Sequence, residues 1–336
     1  FDLFSKHAQL AQRIMDDIVD LEMEKIDLIM AKVKSDPQAD EVKDAEYHLW
    51  EKIKDKSGKG RRTGVGITAE GDMIAGMGLR YGTQEATDFS VSVHRALALN
   101  AYRSSVRMAE ERGAFAIYDA KREEHNPFIL RLKEADAQLY EEMIRCGRRN
   151  IACLTIAPTG TTSLMTQTTS GIEPVFMPVY KRRRKVNPND TDVHVDFVDE
   201  VGDSFEEYIV YHRKFLTWME ANGIDTQKKY SQEEIDELVK RSPYYKATAN
   251  DVDWLMKVRM QCAIHKWVDH SISVTVNLPN SVDEALVNKL YVEAWRSGCK
   301  GCTIYRDGSR SGVMISVSKK DKKKENNSAE EEKEKD

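Results

Sequence analysis

The chain has 336 residues, of which 40% are hydrophobic and 32% charged, and its formal net charge is -5. That length can bury one large core or two ordinary ones, and the acidic balance argues against a general nucleic-acid-binding role. No apolar run approaches the roughly 20 residues that span a bilayer, and five cysteines in so long a chain point to a reducing cytoplasm rather than a disulfide scaffold.

From Asp2 to about Lys34, Leu, Ile and Met recur at helical spacing without a proline, which predicts one long helix. Its opening, FDLFSKHAQLAQRI, has no secretory-signal pattern. It also has no initiator methionine, so a piece of a longer chain is expected. Asp36-Pro37 breaks the helix, Glu41 to Lys56 predicts a second one, and SGKGRRTG reads as a basic, glycine-rich loop. Thr63 to Ile67 is a short strand candidate, and Gly71 to Met77 a short helix ended by Gly78. Thr83 is placed to cap a long helix reaching Gly113. Two shorter helices are predicted between Pro127 and Cys146.

The pattern then turns to strand, polar loop and helix. Asn150 to Ile156 is almost continuously apolar, as in a strand covered on both faces. Ser271 to Asn277 is another such run, entered from a helix over Val252 to Val268. A helix over Asp283 to Ser297 leads into a strand over Cys302 to Tyr305. Strands interleaved with helices predict parallel pairing through right-handed crossovers, an α/β layer or barrel. The count is about four strands, fewer than a closed barrel needs, so further sequence or an obligate partner is expected. From Ser318 the chain reads SKKDKKKENNSAEEEKEKD, too polar to bury a core, which predicts a disordered charged tail. The expected organisation is a helical lead-in over 1–58, β/α units over 59–314, and the tail over 315–336.

Residues 157–163, APTGTTS, gather unusual hydrogen-bonding capacity after the second strand. Gly160 is expected to make the turn. A helix starting here would aim free amides and its positive dipole end at an anion, most simply a phosphate; a helix cap with spare threonines is the equally open alternative. No lysine follows the glycine, so this is not a P-loop. In TTSGIEP, residues 168–174, Gly171 marks a turn and Pro174 keeps Glu173 out of the helical region. Glu173 then either orients an amide or a sugar hydroxyl or, more commonly, ties down a loop. The run YKRRRK at 180–185 offers phosphate contact or, more in keeping with an acidic chain, a strand with exposed cations. Cys299 and Cys302 form a C-x-x-C without a second pair: half a zinc site, a redox dithiol or, most often, structural thiols. The eight histidines, His265 and His270 included, show no metal-ligand spacing.

Taken together, NIACLTIAPTGTTS (150–163), SGIEP (170–174), VTVNLP (274–279) and KGCTIYRDGSR (300–310) resemble the C-terminal half of a ribonucleotide reductase catalytic subunit. The upstream GRRTGVGIT (60–68) and GLRYG (78–82) fit in the same order, so the resemblance runs from about Lys59 to Val313. It implies a ten-stranded α/β barrel of two halves, with this chain supplying the later strands. It implies that Pro158, Thr159, Gly160, Thr161, Thr162 and Ser163 grip the phosphates of a ribonucleotide substrate, with Glu173 and Tyr305 supporting the site. The implied chemistry is a thiyl radical taking the ribose 3′-hydrogen, loss of the 2′-hydroxyl as water, and reduction by a cysteine pair, making deoxyribonucleotides for DNA synthesis. Reductases fed by a separate radical subunit carry two adjacent tyrosines near the last strand. Here Ile304 takes one of those places, and YRDGSR resembles the adenosylcobalamin-dependent class. The implied cofactor is adenosylcobalamin, with a dithiol reductant such as thioredoxin.

The family's N-x-C-x-E finger loop has no counterpart here. No catalytic residue and no metal ligand is therefore assigned, and Cys146, Cys153, Cys262, Cys299 and Cys302 are not read as catalytic thiols. The expected partners are a missing N-terminal portion or a second chain carrying the finger loop, the substrate, and a thioredoxin-type reductant. Neither membrane nor nucleic acid is expected as a partner, and the isolated chain is expected to be inactive. A non-catalytic nucleotide-binding module and a fragment of a radical-subunit-dependent reductase are the alternatives.

Overall fold

The computed structural model describes residues 1–186, 193–198 and 202–309. The predicted tail and the last residues of the family resemblance lie outside them. Helix α1 (Asp2–Ser35) packs along α2 (Asp40–Gly60) and α4 (Gln84–Arg112), with the short α3 (Glu70–Gly76) between. One stripe of α1 is buried through Ala8, Val19, Ile26 and Val33. The predicted SGKG loop is instead the last turn of α2. Arg61 ends that helix in the left-handed region (φ 46°), its amide donating to Ser57 O. The side chain of Arg61 is fixed by two carboxylates of α1, so the sharp exit is held by a tertiary contact that glycine content does not reveal. Thr83 caps α4 as predicted, its hydroxyl accepting from the Ala86 amide at 3.2 Å. Next come α5 (Ala120–Glu123), α6 (Pro127–Ala135), α7 (Ala137–Cys146) and, in the APTGTTS corner, α8 (Gly160–Thr166).

The sheet residues fall in two places. Strands β1 (Val179–Lys185), β2 (Phe197–Val198) and β3 (Ser204–Tyr211) form an antiparallel sheet in the order β1-β3-β2. The basic run lies in β1 opposite the acidic β3. Arg183 Nε meets Glu207 at 2.7 Å and Arg184 reaches Glu206 at 3.0 Å, so the cations serve cross-strand pairing. Helices α9 (Arg213–Ala221), α10 (Gln232–Arg241) and α11 (Trp254–His265) follow, then β4 (Thr275–Leu278), α12 (Glu284–Arg296) and β5 (Thr303–Arg306).

β4 and β5 pair in parallel, and two isolated parallel bridges, Val65 with Leu154 and Ile156 with Ile272, extend the layer. The four predicted segments therefore lie side by side in chain order, and the described residues form this layer rather than a closed barrel. Asn150 to Ile156 is not the regular strand expected. The amides of Cys153 and Leu154 donate to the Asp269 carboxylate at 2.8 and 2.9 Å, so a side chain takes the place of part of a ladder. Tyr102 Oη donates to the same carboxylate at 2.7 Å, tying α4 to the layer.

A polar network locks α1 onto the start of this layer. Asp16, fully buried, accepts from Arg61 Nε and from Asn150 Nδ2, both at 2.8 Å. Gln12 Nε2 reaches both Thr63 and Asn150 at 2.9 Å. Burial pushes the Asp16 carboxyl up, but the Arg61 bond and charge, with Asn150 and Arg149, outweigh it and hold the group below its ordinary value. Asp16, Asp17 and Asp20 bring three carboxylates together. Arg61 and Arg112 already pair with them, which accounts for the cluster without a metal.

Candidate active-site cavity

A cavity of about 970 Å³ opens where the TTSGIEP turn meets β4 and β5. Thr168, Ser170 and Glu173 line one side and Asn277, Ile304 and Tyr305 the other, with Phe176 and Met177 forming an apolar wall. The volume and the mix of apolar wall with few polar groups suit a small-molecule site.

Glu173 is the hinge of this arrangement. One carboxylate oxygen accepts from Lys257 Nζ at 2.6 Å, and the other accepts from the Thr275 amide at 2.6 Å. Lys257, only 1% exposed, also donates to Thr275 O at 2.6 Å. Glu173 therefore ties its turn to the head of β4, the commoner of its two expected roles, while still lining the cavity. Close packing supports the same turn: a Cβ on Gly71 would stand 2.7 Å from Glu173 O.

A second polar group was not predicted. Asp72, on α3, accepts from Tyr244 Oη at 2.9 Å and from the Thr169 amide at 2.8 Å. His212 Nε2 lies 2.7 Å from Asp72 Oδ1 and, since a carboxylate only accepts, carries the hydrogen between them. Burial, and then the Asp72 charge, pushes the Tyr244 phenol up, so it remains a donor. His212 faces the cavity with its tautomer fixed by a buried carboxylate. Separations of 140 and 172 residues hid both contacts from motif reading.

The six predicted phosphate residues stand beside the cavity and do not line it. Thr159, not Gly160, makes the turn, with φ at 54°. Its hydroxyl holds the strained conformation by accepting from the Gly171 amide at 2.7 Å and meeting the Thr68 hydroxyl at 3.0 Å. A Cβ on Gly160 would meet nothing within 4 Å. Pro158, Thr161 and Thr162 are exposed, whereas Ser163 is buried and donates to Gly160 O at 2.8 Å. Thr159 thus fastens the α8 corner to the SGIEP turn, whose neighbouring residues form the cavity wall.

Residues 7–305 match the family described as ribonucleotide reductase, barrel domain. The chain belongs to that reductase family. Over 83% of its length it is 29% identical to the vitamin B12-dependent ribonucleoside-diphosphate reductase of Mycobacterium tuberculosis (strain ATCC 25618 / H37Rv), covering 35% of that protein. It is 26% identical to the protein of the same name from Thermoplasma acidophilum over 83% of the chain and 32% of the relative. To the ribonucleoside-diphosphate reductase subunit alpha of Chlamydia pneumoniae it is 23% identical, over 83% of the chain and 27% of the relative. The chain thus spans about a third of the length of these curated relatives. Among its described residues, no helix is long and apolar enough to cross a membrane.

Proposed function

We propose that this chain forms the nucleotide-phosphate side of the active site of a vitamin B12-dependent ribonucleotide reductase, which converts ribonucleotides to 2′-deoxyribonucleotides. The observation that carries this reading is the fastening of the α8 corner, through Thr159, to the turn that bounds the cavity. The first amides of α8, at Gly160, Thr161 and Thr162, precede any possible intrahelical acceptor and carry the positive end of the local dipole. Thr161 and Thr162 add exposed hydroxyls, while Pro158, Thr159 and Ser163 shape the turn. A phosphate at this corner directs the sugar into the cavity toward Asn277 and Tyr305. His212, held by Asp72, supplies a fixed polar group on the same wall.

Adenosylcobalamin supplies the initiating radical in this reading. Phe176 and Met177, with Ile304 on another side of the cavity, would offer its ring apolar contact. His212 donates from Nε2 to Asp72, which leaves Nδ1 as its acceptor; no contact with cobalt is assigned to it. Ile304 favours this class over the radical-subunit-dependent one, because an aliphatic side chain cannot relay a hole. The finger loop with the radical cysteine, and the site of the thioredoxin-type reductant, belong to the remaining two thirds of the relatives' length. The chain alone is therefore expected to give no turnover with adenosylcobalamin and a dithiol.

The test is substrate affinity in the complete enzyme. Thr161→Val and Thr162→Val each remove a hydrogen bond to a charged oxygen worth about 1.5–3 kcal/mol, roughly ten- to 150-fold in Kd. Ribonucleoside diphosphate binding that is unchanged in both variants would refute the assignment.

A further inference from the structure

Three of the five cysteines meet where α11 ends and β5 begins. Cys262, Cys299 and Cys302 all pack in the small core between α11, β4 and α12. The sequence displays only C-K-G-C; the fold brings Cys262 and His265, one turn apart on α11, against it. His265 Nδ1 lies 3.1 Å and Gly301 O 3.0 Å from Cys299 Sγ, and Cys262, whose thiol reaches Ala294 O at 3.9 Å, packs in the same core. Lys300 fixes the loop by donating to the carbonyls of Val268, Asp269 and His270 at 2.9, 2.7 and 2.7 Å. Cys299 is half-buried between exposed Gly298 and Lys300, whereas Cys262 is 3% exposed directly behind it.

We propose that Cys299 is a nucleophilic thiol that exchanges with small disulfides of the glutathione class and then closes onto Cys262. Cys299 gives up its proton and, as the thiolate, attacks one sulfur of the small disulfide, whose S–S bond breaks to release one small thiolate, which takes up that proton. Cys262 then attacks Cys299 Sγ in the mixed disulfide, expelling the second small thiolate, which takes up the proton that Cys262 gives up. Two protein thiols are oxidised to one disulfide, and one small disulfide is reduced to two thiols.

The environment assigns the two roles. The Cys262 thiol, and then His265, stabilise the charged form of Cys299 against burial and hold it well below the usual thiol range. The contact with Cys299, and then burial, push Cys262 up, as suits a resolving thiol. Cys146 is the natural control. It is half-buried too, but its thiol donates to Glu110 at 3.1 Å, and that carboxylate pushes it up. The spacing C-x-x-H with C-x-x-C also matches a zinc set. Among the described residues, however, the three-ligand group that lies within mutual coordinating reach is Asp16, Asp17 and Asp20, not these four. None of the three cysteines lines the cavity, so the exchange stands independently of the nucleotide reading.

The experiment treats the native protein with glutathione disulfide at neutral pH and maps peptides by mass spectrometry, with thiol-reaction rates measured residue by residue. Cys299 is expected to react on the order of tenfold faster than Cys146, and the product is a Cys262–Cys299 disulfide reversed by dithiothreitol. Cys262→Ser should stop the reaction at a stable mixed disulfide on Cys299, and His265→Gln should slow the first step while the far-ultraviolet spectrum is unchanged. Three results would each overturn the proposal: equal rates at Cys299 and Cys146, a disulfide that excludes Cys262, or one equivalent of tightly held zinc that is lost in Cys299→Ser.

Discussion

Glu173 and Lys257 give the sharpest stability test. Glu173→Ala strands a lysine that is 1% exposed and frees the Thr275 amide, both previously bonded at 2.6 Å. Removing one partner of a buried ion pair costs about 3–5 kcal/mol. The Glu173 side chain retains 23% exposure, so water can reach part of the gap and the expected loss lies near the low end, about 3 kcal/mol. Urea unfolding of the protein would report it as a lower midpoint with an unchanged slope. Lys257→Met alone should cost less, because it leaves the more solvated member unpaired. In Glu173→Ala/Lys257→Met the buried charge is gone, and most of the loss should be recovered, giving a coupling energy of roughly 2 kcal/mol. If Glu173→Ala falls within about 0.5 kcal/mol of wild type, or if the two single losses simply add, the pair is not the hinge described above.

Other consequences can be checked with less effort. Gly160→Ala should be tolerated or stabilise by about 0.5–1 kcal/mol in a melting experiment, because a Cβ there meets nothing and Ala is the better helix former. Thr159→Val should lower stability by about 1–3 kcal/mol, since it keeps the left-handed strain and removes the hydroxyl that holds it. Asp16 has a folded pKa below its unfolded value, so its contribution is complete above about pH 4 and disappears as pH falls through the folded pKa. The stability gap between wild type and Asp16→Asn in chemical unfolding should therefore narrow on acidification below about pH 4. Breaking Arg183–Glu207 on the open face of β1 and β3 should change the melting temperature little, in keeping with about 0.2–1 kcal/mol for exposed pairs.

What the sequence made legible was local. Thr83 announces α4 because its hydroxyl reaches an amide three residues on, and Asp283 opens α12 in the same way. The runs at 150–156 and 271–277 marked the layer because the first is buried along almost its whole length and the second buries Ile272, Val274 and Val276 in alternation. The irregular course of the first stayed hidden because its partner is Asp269, more than 110 residues away. β3 went unread although Tyr208 to Tyr211 are all strand formers; its antiparallel register with β1 extends the strand back through Glu206 and Glu207. The candidate site divides in the same way. Glu173 and Tyr305 sit in short motifs, whereas Asp72, His212 and Lys257 become neighbours of the cavity only when α3, α9 and α11 are assembled. Gly160 misled as the expected turn because composition cannot tell which residue of a Thr-Gly pair takes the strained backbone.

A carboxylate standing where a neighbouring chain would normally pair makes Asp269 a register pin. Together with the Val65–Leu154 and Ile156–Ile272 bridges, this pin sets where the chain leaves the layer toward the α8 corner. Slippage by a single residue would swap inward for outward side chains and swing the α8 corner away from the cavity. The role of Asp269 is thus alignment of distant parts, and its loss should produce a protein that is folded yet misaligned.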